Sequence, residues 1–185
     1  MAAEAYPTLF AGQRVLASLV RSMQTQTLRK TADTSITAST TQTTDPHIQM
    51  TVAANAVYEF WGWIQYDADL TGDLSVGWTS PAGSQGTWMG HGGGTTVTSA
   101  TAGGGTQQNA TSTWGYNIRL EPTDITTGRT FGGLAVGNKI TVLFQGTLRT
   151  SVVGGTFGLA WAQSASSATA TTLYTDSWLA VLRSA

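Results

Sequence analysis

Cysteine is absent from the 185-residue chain. That excludes a disulfide framework and any thiolate-ligated metal, and it leaves the redox compartment open. Charge is scarce as well, with Asp, Glu, Lys and Arg making up 10% of the residues, well below the roughly 25% of an ordinary soluble domain. The formal net charge is -1. No basic stripe is present that could neutralise phosphates, so nucleic acid is not an expected partner. No stretch approaches the roughly 20 consecutive apolar residues that span a bilayer, so no membrane partner is expected either. The N-terminus, Met1-Ala2-Ala3-Glu4-Ala5-Tyr6-Pro7, has neither a cationic start nor an apolar run and does not read as a secretory signal. These absences together lead us to expect a soluble product, made in the cytoplasm of its cell.

What remains is a chain that is 41% hydrophobic, enough to build one core, with Thr as its commonest residue. Thr is β-branched and polar and suits the solvent face of a strand, so Thr, Ser, Gln and Gly take over the wetting role that charge usually plays. Alternation supports the same reading. Ile48, Met50 and Val52 alternate, Val57 to Ile64 forms a long aromatic strand, and Leu74, Val76 and Trp78 alternate up to the turn Ser80-Pro81-Ala82-Gly83. Trp114, Tyr116, Ile118 and Leu120 follow, then Ile140 through Leu148, then Phe157, Leu159 and Trp161, and finally Leu173 to Leu182 with a break near Thr175-Asp176. The expected fold is all-β: an antiparallel β-sandwich of jelly-roll type with about eight strands. A short N-terminal helix and an extended arm precede it. The helix is predicted over Gly12–Met23, where Val15, Leu16, Leu19, Val20 and Met23 recur at three- and four-residue spacing. Such a stripe packs under its own domain or docks on a neighbouring subunit as an assembly interface. Residues 31–46 are a polar, Thr-rich run that reads as an extended linker or an edge strand. The chain accordingly divides into an N-terminal helix and arm, 1–46, and a β-sandwich domain, 47–185. Hiding apolar edges favours a closed oligomer, and a homotrimer is expected.

Several patterns invite a chemical reading. His91-Gly92-Gly93-Gly94 matches the oxyanion loop of some esterases, but no Gly-x-Ser-x-Gly elbow accompanies it, and a glycine-rich loop between strands is the plainer account. The two histidines are His47, which follows Asp45-Pro46 at a strand start, and His91, and two such isolated residues make neither a triad nor a zinc site. Asp67-Ala68-Asp69-Leu70-Thr71-Gly72-Asp73-Leu74 copies the first half of an EF-hand loop, but Trp78 occupies the position where a bidentate Glu is required. A tight turn with acidic tips accounts for the same residues. The glycine clusters at 92–94, 103–105 and 132–133 lack the Gly-Lys-Ser/Thr of a phosphate loop. No catalytic residue, metal or other cofactor is therefore expected. Trp61, Trp63, Trp88 and Trp114 are candidate surface aromatics for stacking on a host glycan, although a Trp in an alternating strand commonly belongs to a core.

Two stretches give the sequence a family likeness. One runs from Ala11-Gly12-Gln13-Arg14-Val15-Leu16 to Met23, followed by Arg29-Lys30-Thr31-Ala32-Asp33-Thr34-Ser35 and Thr44-Asp45-Pro46-His47. The other is Gly158-Leu159-Ala160-Trp161-Ala162-Gln163 through Leu173-Tyr174, leading into Asp176-Ser177-Trp178-Leu179. Between them lie Ala54-Asn55-Ala56-Val57-Tyr58 and Trp78-Thr79-Ser80-Pro81-Ala82-Gly83. In this order the segments resemble small virion structural proteins of tailed phages and prophages of actinobacteria, which look like minor tail or fibre proteins in some genomes and head-decorating proteins in others. The resemblance implies a non-enzymatic component of the particle surface with other virion proteins as partners, either tail proteins or the major capsid protein. It implies no catalytic residue.

Overall fold

The computed structural model describes residues 10–93, 114–118, 124–133 and 136–185. A short helix, α1 (Ala17–Ser22), leads into twelve strands: β1 (Gln26–Arg29), β2 (Thr34–Ile36), β3 (Thr43–Val52), β4 (Val57–Asp67), β5 (Leu74–Thr79), β6 (Gln85–Gly93), β7 (Trp114–Ile118), β8 (Arg129–Phe131), β9 (Ile140–Arg149), β10 (Gly155–Gln163), β11 (Thr171–Leu173) and β12 (Trp178–Arg183). One sheet has the order β3-β10-β5-β8; the other carries β4-β9-β6-β7, and every pairing is antiparallel. Eight consecutive strands shared between two sheets in this order form a jelly roll, the architecture that the alternation predicted. The other four strands extend the larger sheet at its β4 edge. There β12 and β11 pair with β4, β1 pairs with β12, and β2 pairs with β11. Segments from both ends of the chain thus cover one edge that would otherwise present unpaired backbone groups.

Strand β4 shows why the sequence folds this way. Tyr58, Phe60, Ile64 and Tyr66 are buried, while Glu59, Trp61, Trp63 and Gln65 lie on the opposite face at intermediate or greater exposure. The inward set meets Trp78, Trp88, Phe144 and Phe157 from the neighbouring strands. Phe60 lies 4.6 Å from Trp78 and 5.1 Å from Phe157 between ring centroids, and Trp78 meets Trp88 and Phe144 edge-on at 5.6 and 5.0 Å. Edge-to-face contacts at these separations add to the burial energy of each ring. Glycines make the room. Gly62 pairs with Phe144 and Gly146 with Phe60 and Trp88. A Cβ on Gly146 would sit 2.5 Å from both the Phe60 ring and the Thr87 carbonyl oxygen.

Several expectations need correction. The helix is six residues long, not three turns, and none of its residues is buried. Gly12 lies in a turn with φ +79, and Leu16 is extended and provides no side-chain cap, so the apolar stripe has neither a nucleus nor a surface to propagate against. Trp88 is not a surface aromatic: at 2% exposure it belongs to the core, with the Arg129 guanidinium 3.9 Å above its ring. His91, Gly92 and Gly93 are not loop residues but the end of β6. Gly90 and Gly92 fit there because the Phe131 ring packs where their side chains would project. The Thr-rich run holds β2, which among the described strands pairs with β11 alone, as the edge-strand reading of that run has it, and the expected division at 46/47 falls within β3.

Pro46 sits in β3 where the ladder with β10 breaks register: Gln49 faces Gly158, but Thr44 faces Ala160. A residue with no N–H to donate fits such a bulge. Asp45 holds the bulge, its Oδ1 accepting from the backbone N–H groups of His47 (2.9 Å) and Ile48 (3.2 Å). Its Oδ2 accepts from Lys30 Nζ at 2.5 Å, and the Lys30 and Asp45 side chains are both fully buried. Lys30 also donates to the Thr34 hydroxyl at 2.8 Å. This ion pair joins the segment that follows β1, in one sheet, to β3 in the other.

Candidate functional site

The outward face of the larger sheet carries a surface rich in large aromatic and apolar side chains, Trp61, Trp63, Trp178 and Leu143 among them. Because side chains alternate along a strand, residues paired across neighbouring strands fall into rows on one face. One row runs Arg29, Trp178, Trp63, Leu143 and His91 across β1, β12, β4, β9 and β6. The adjacent row runs Thr27, Ala180, Trp61, Gln145 and Met89. Between these side chains lie two depressions. One, of about 340 Å³, is lined by Trp61, Met89, His91, Leu143, Gln145 and Trp178, with Gly62 and Phe144 beneath. The other, of about 620 Å³, is lined by Thr25, Thr27, Arg29, Asp176 and Ala180 together with the same Trp61 and Trp178. The two indoles therefore stand where the depressions meet. Arg29 and Asp176 form an ion pair at one end, and Gln145 donates from Nε2 to Met89 Sδ at 3.2 Å.

The candidate aromatics separate clearly against this geometry. Trp61 is 37% exposed and lines both depressions. Trp63 lies on the same face, half-buried beside Trp178. Trp114 pairs with Gly93 through its backbone, and its side chain lies outside the described residues. Trp178, Leu143 and Gln145 were missed by the sequence reading. Strand phase carries the signal that finds them: Leu179 and Val181 are core residues, so Trp178 must face outward.

The candidate assembly residues form a second exposed feature. Val15, Leu16, Val20 and Met23 are exposed, and Leu19 is half-buried. Phe10, at 71% exposure, extends the patch.

The acidic turn after β4 uses its carboxylates internally. Asp67 accepts from Gly137 N–H at 2.9 Å and from the Tyr174 hydroxyl at 2.8 Å. Asp69 accepts from Gly72 N–H and from the Ser167 hydroxyl, and Asp73 accepts from Gly133 N–H. The Gly72 N–H and then the Ser167 hydroxyl hold the Asp69 carboxyl below its usual range, whereas burial raises that of Asp73. Burial, followed by the hydrogen bond to Asp67, pushes the Tyr174 hydroxyl up to about 12. Asp69 closes the turn on Gly72, whereas Asp67 and Asp73 fasten it to Gly137 and Gly133 of the distant segment around β8. Among the described residues no group of three or more His, Asp or Glu is placed to hold a metal ion. The two histidines lie on different sheets, His47 in β3 and His91 in β6.

No family model matches the chain, and no curated protein does. Among solved structures it is similar to the VP2 subviral particle of infectious bursal disease virus, at 11% identity and a TM-score of 0.21, over 88% of this chain and 42% of that one. The Gt strain of the same virus gives 11% identity and a TM-score of 0.23, over 86% and 42%. The chain spans less than half the length of these proteins. Scores this low carry no argument, and the architecture rests on strand order alone. No described helix is long and apolar enough to cross a membrane.

Proposed function

We propose that the chain is a non-enzymatic structural protein of a bacteriophage virion, displayed on the particle surface as a minor tail or tail-fibre-like subunit and fastened through its N-terminal segment. One observation carries this reading. Residues 10–23 precede the β body and hold Phe10, Val15, Leu16, Val20 and Met23 exposed, in and around a six-residue helix none of whose residues is buried. A helix this short gains little from its own hydrogen bonds and acquires a stable surface only against a partner. The jelly roll supports the reading more weakly, because one fold serves many functions.

The test removes residues 1–23, which end before β1 begins at Gln26 and so leave every described strand intact. We expect the truncated protein to keep the denaturation midpoint of the full chain and to disappear from purified phage particles. Incorporation at the full-length level would refute attachment through this segment. Immunogold labelling of intact particles then locates the subunit. Label at the tail supports the fibre reading; label spread over the head would make the chain a decoration protein that clamps capsomers, and the tail assignment would fall. A homotrimer is the proposed assembly, and a solution mass of one chain would overturn it.

A further inference from the structure

We propose that the outer strip of the larger sheet, centred on Trp61 and Trp178, binds a neutral carbohydrate chain. The inference goes beyond attachment to a particle and stands whether or not the chain is a virion component.

The chemistry of the strip selects the ligand. A pyranose ring presents axial C–H groups, slightly positive, on one face and hydroxyls around its edge. The negative π-face of an indole meets the first, and polar side chains beside it meet the second. Trp61 and Trp178 supply the indoles; Gln145, Thr25 and Thr27 supply neutral hydrogen-bonding groups on either side of them. The charged side chains lining the strip, Arg29 and Asp176, pair with each other, so an acidic or basic ligand finds no free counter-charge there. The shape agrees. Five strands, β1 to β6 across the strip, cover about 19 Å at the usual ~4.8 Å spacing, the reach of a short oligosaccharide. The two depressions lie end to end along that line and share the indoles, and the smaller, at about 340 Å³, already falls in the range of small-ligand sites, about 300–1,000 Å³.

A second copy of the chain fits less well. A stable protein interface removes about 1,600 Å² from water and is apolar at its centre. Here the centre is concave and edged with polar groups, and among its large apolar side chains Trp61 is 37% and Leu143 51% exposed.

The experiment uses the purified full chain on an array of neutral gluco-, galacto-, manno- and N-acetylglucosamine oligosaccharides, with sialylated and uronate glycans as controls. The best neutral binder is then titrated by calorimetry. We expect binding to neutral glycans, a roughly tenfold weakening in Trp61→Ala, equal to about 1.4 kcal/mol, and a smaller loss in Gln145→Ala. Gln145→Ala should keep the parent denaturation midpoint, and Trp61→Ala should stay folded with a loss far smaller than that of a core truncation, since both side chains lie on the outer face. Val15→Ser, on the N-terminal segment, should bind as the parent does. No neutral glycan bound, a preference for the acidic controls, or parent affinity in Trp61→Ala would each overturn the proposal. So would a dimer in sedimentation that Trp61→Ala dissolves, because the strip would then be occupied by a second chain. None of these readouts depends on particle incorporation, so this proposal can fail while attachment through the N-terminal segment stands, and the reverse.

Discussion

Replacing Lys30 with methionine keeps most of the volume of the side chain but leaves a buried carboxylate without its counter-charge. In the parent, Asp45 Oδ2 sits 2.5 Å from Lys30 Nζ, and both side chains are fully shielded from water. In the variant, Oδ1 keeps the N–H groups of His47 and Ile48, while Oδ2 loses its partner. Breaking a buried pair from one side costs about 3–5 kcal/mol, far more than the ~0–1 kcal/mol of a surface pair. At about 2–4 °C per kcal/mol for a domain of this size, Tm should fall by roughly 6–20 °C. Asp45→Leu should be at least as damaging, because it strands the ammonium and two backbone donors at the β3 bulge together. The double variant Lys30→Met, Asp45→Asn removes both charges yet keeps an oxygen for His47 and Ile48, so it should recover most of the loss. Urea denaturation followed by Trp fluorescence measures all three. If Lys30→Met costs less than about 1 kcal/mol, the size of a solvated pair, then the segment after β1 is not docked on β3 as described and the argument fails.

Three further outcomes follow from the core and the acidic turn. Gly146→Ala should destabilise by about 1–3 kcal/mol through overpacking, since its Cβ would press on the Phe60 ring, the Thr87 carbonyl and Trp88; parent stability would mean that these groups yield freely. Trp88→Ala should cost about 3–5 kcal/mol as a core truncation, and the exposed Trp61→Ala should cost much less, so equal losses by denaturation would contradict their placement on opposite faces. Asp69 and Asp33 are both held below the usual carboxylate value, Asp69 first by the Gly72 N–H and Asp33 first by the Thr175 N–H. A lowered value means that the folded state binds fewer protons than the unfolded one, so their stabilisation is present above pH 3.8 and is lost as pH falls below it. Asp69→Asn should therefore flatten the acid limb of the stability–pH curve, and an unchanged limb would exclude this cause.

The parts of the fold that could be read in the sequence are those where one face is apolar and the other polar. Strand β4 announces itself because Tyr58, Phe60, Ile64 and Tyr66 alternate with polar or exposed partners, and β9 does so in the same way, whereas β10 is buried on both faces and shows its period as Phe157, Leu159 and Trp161 alternating with Gly158, Ala160 and Ala162. Strand β6 was hidden because its inward positions include Gly86, Gly90 and Gly92, where aromatic rings and backbone from neighbouring strands fill the space. A glycine that makes room for a neighbour's ring looks, in sequence, the same as a glycine in a loop. Strand β1 was hidden, and β2 was legible only as one of two readings of the Thr-rich run, for another reason: they are short edge strands whose pairing partners are far along the chain, as in Gln26 with Val181 and Ser35 with Thr172. The candidate strip depends on both kinds of hidden element. Its aromatic residues could be listed from sequence, but their division into Trp61 outside and Trp88 inside depends on strand phase, and β6 had no visible phase.

The two ends of the chain link the two exposed features. Residues 10–23 run into β1, and Thr25 and Thr27 at the start of that strand line the larger depression of the aromatic strip. Strand β1 is held on its outer side by nothing described, on its inner side by the β12 ladder, and at its end by Lys30. A partner that grips the N-terminal segment would therefore pull on a strand bordering the strip, and the buried Lys30–Asp45 pair is placed to resist that pull. This gives the ion pair a role that stability alone does not require, since a well-packed apolar pair would hold the sheets together as well. Thr25, Thr27 and Arg29 lie between residues 10–23 and Lys30, and Arg29 pairs with Trp178, so the β1 side of the strip is on the path of that pull and the ion pair holds its far end.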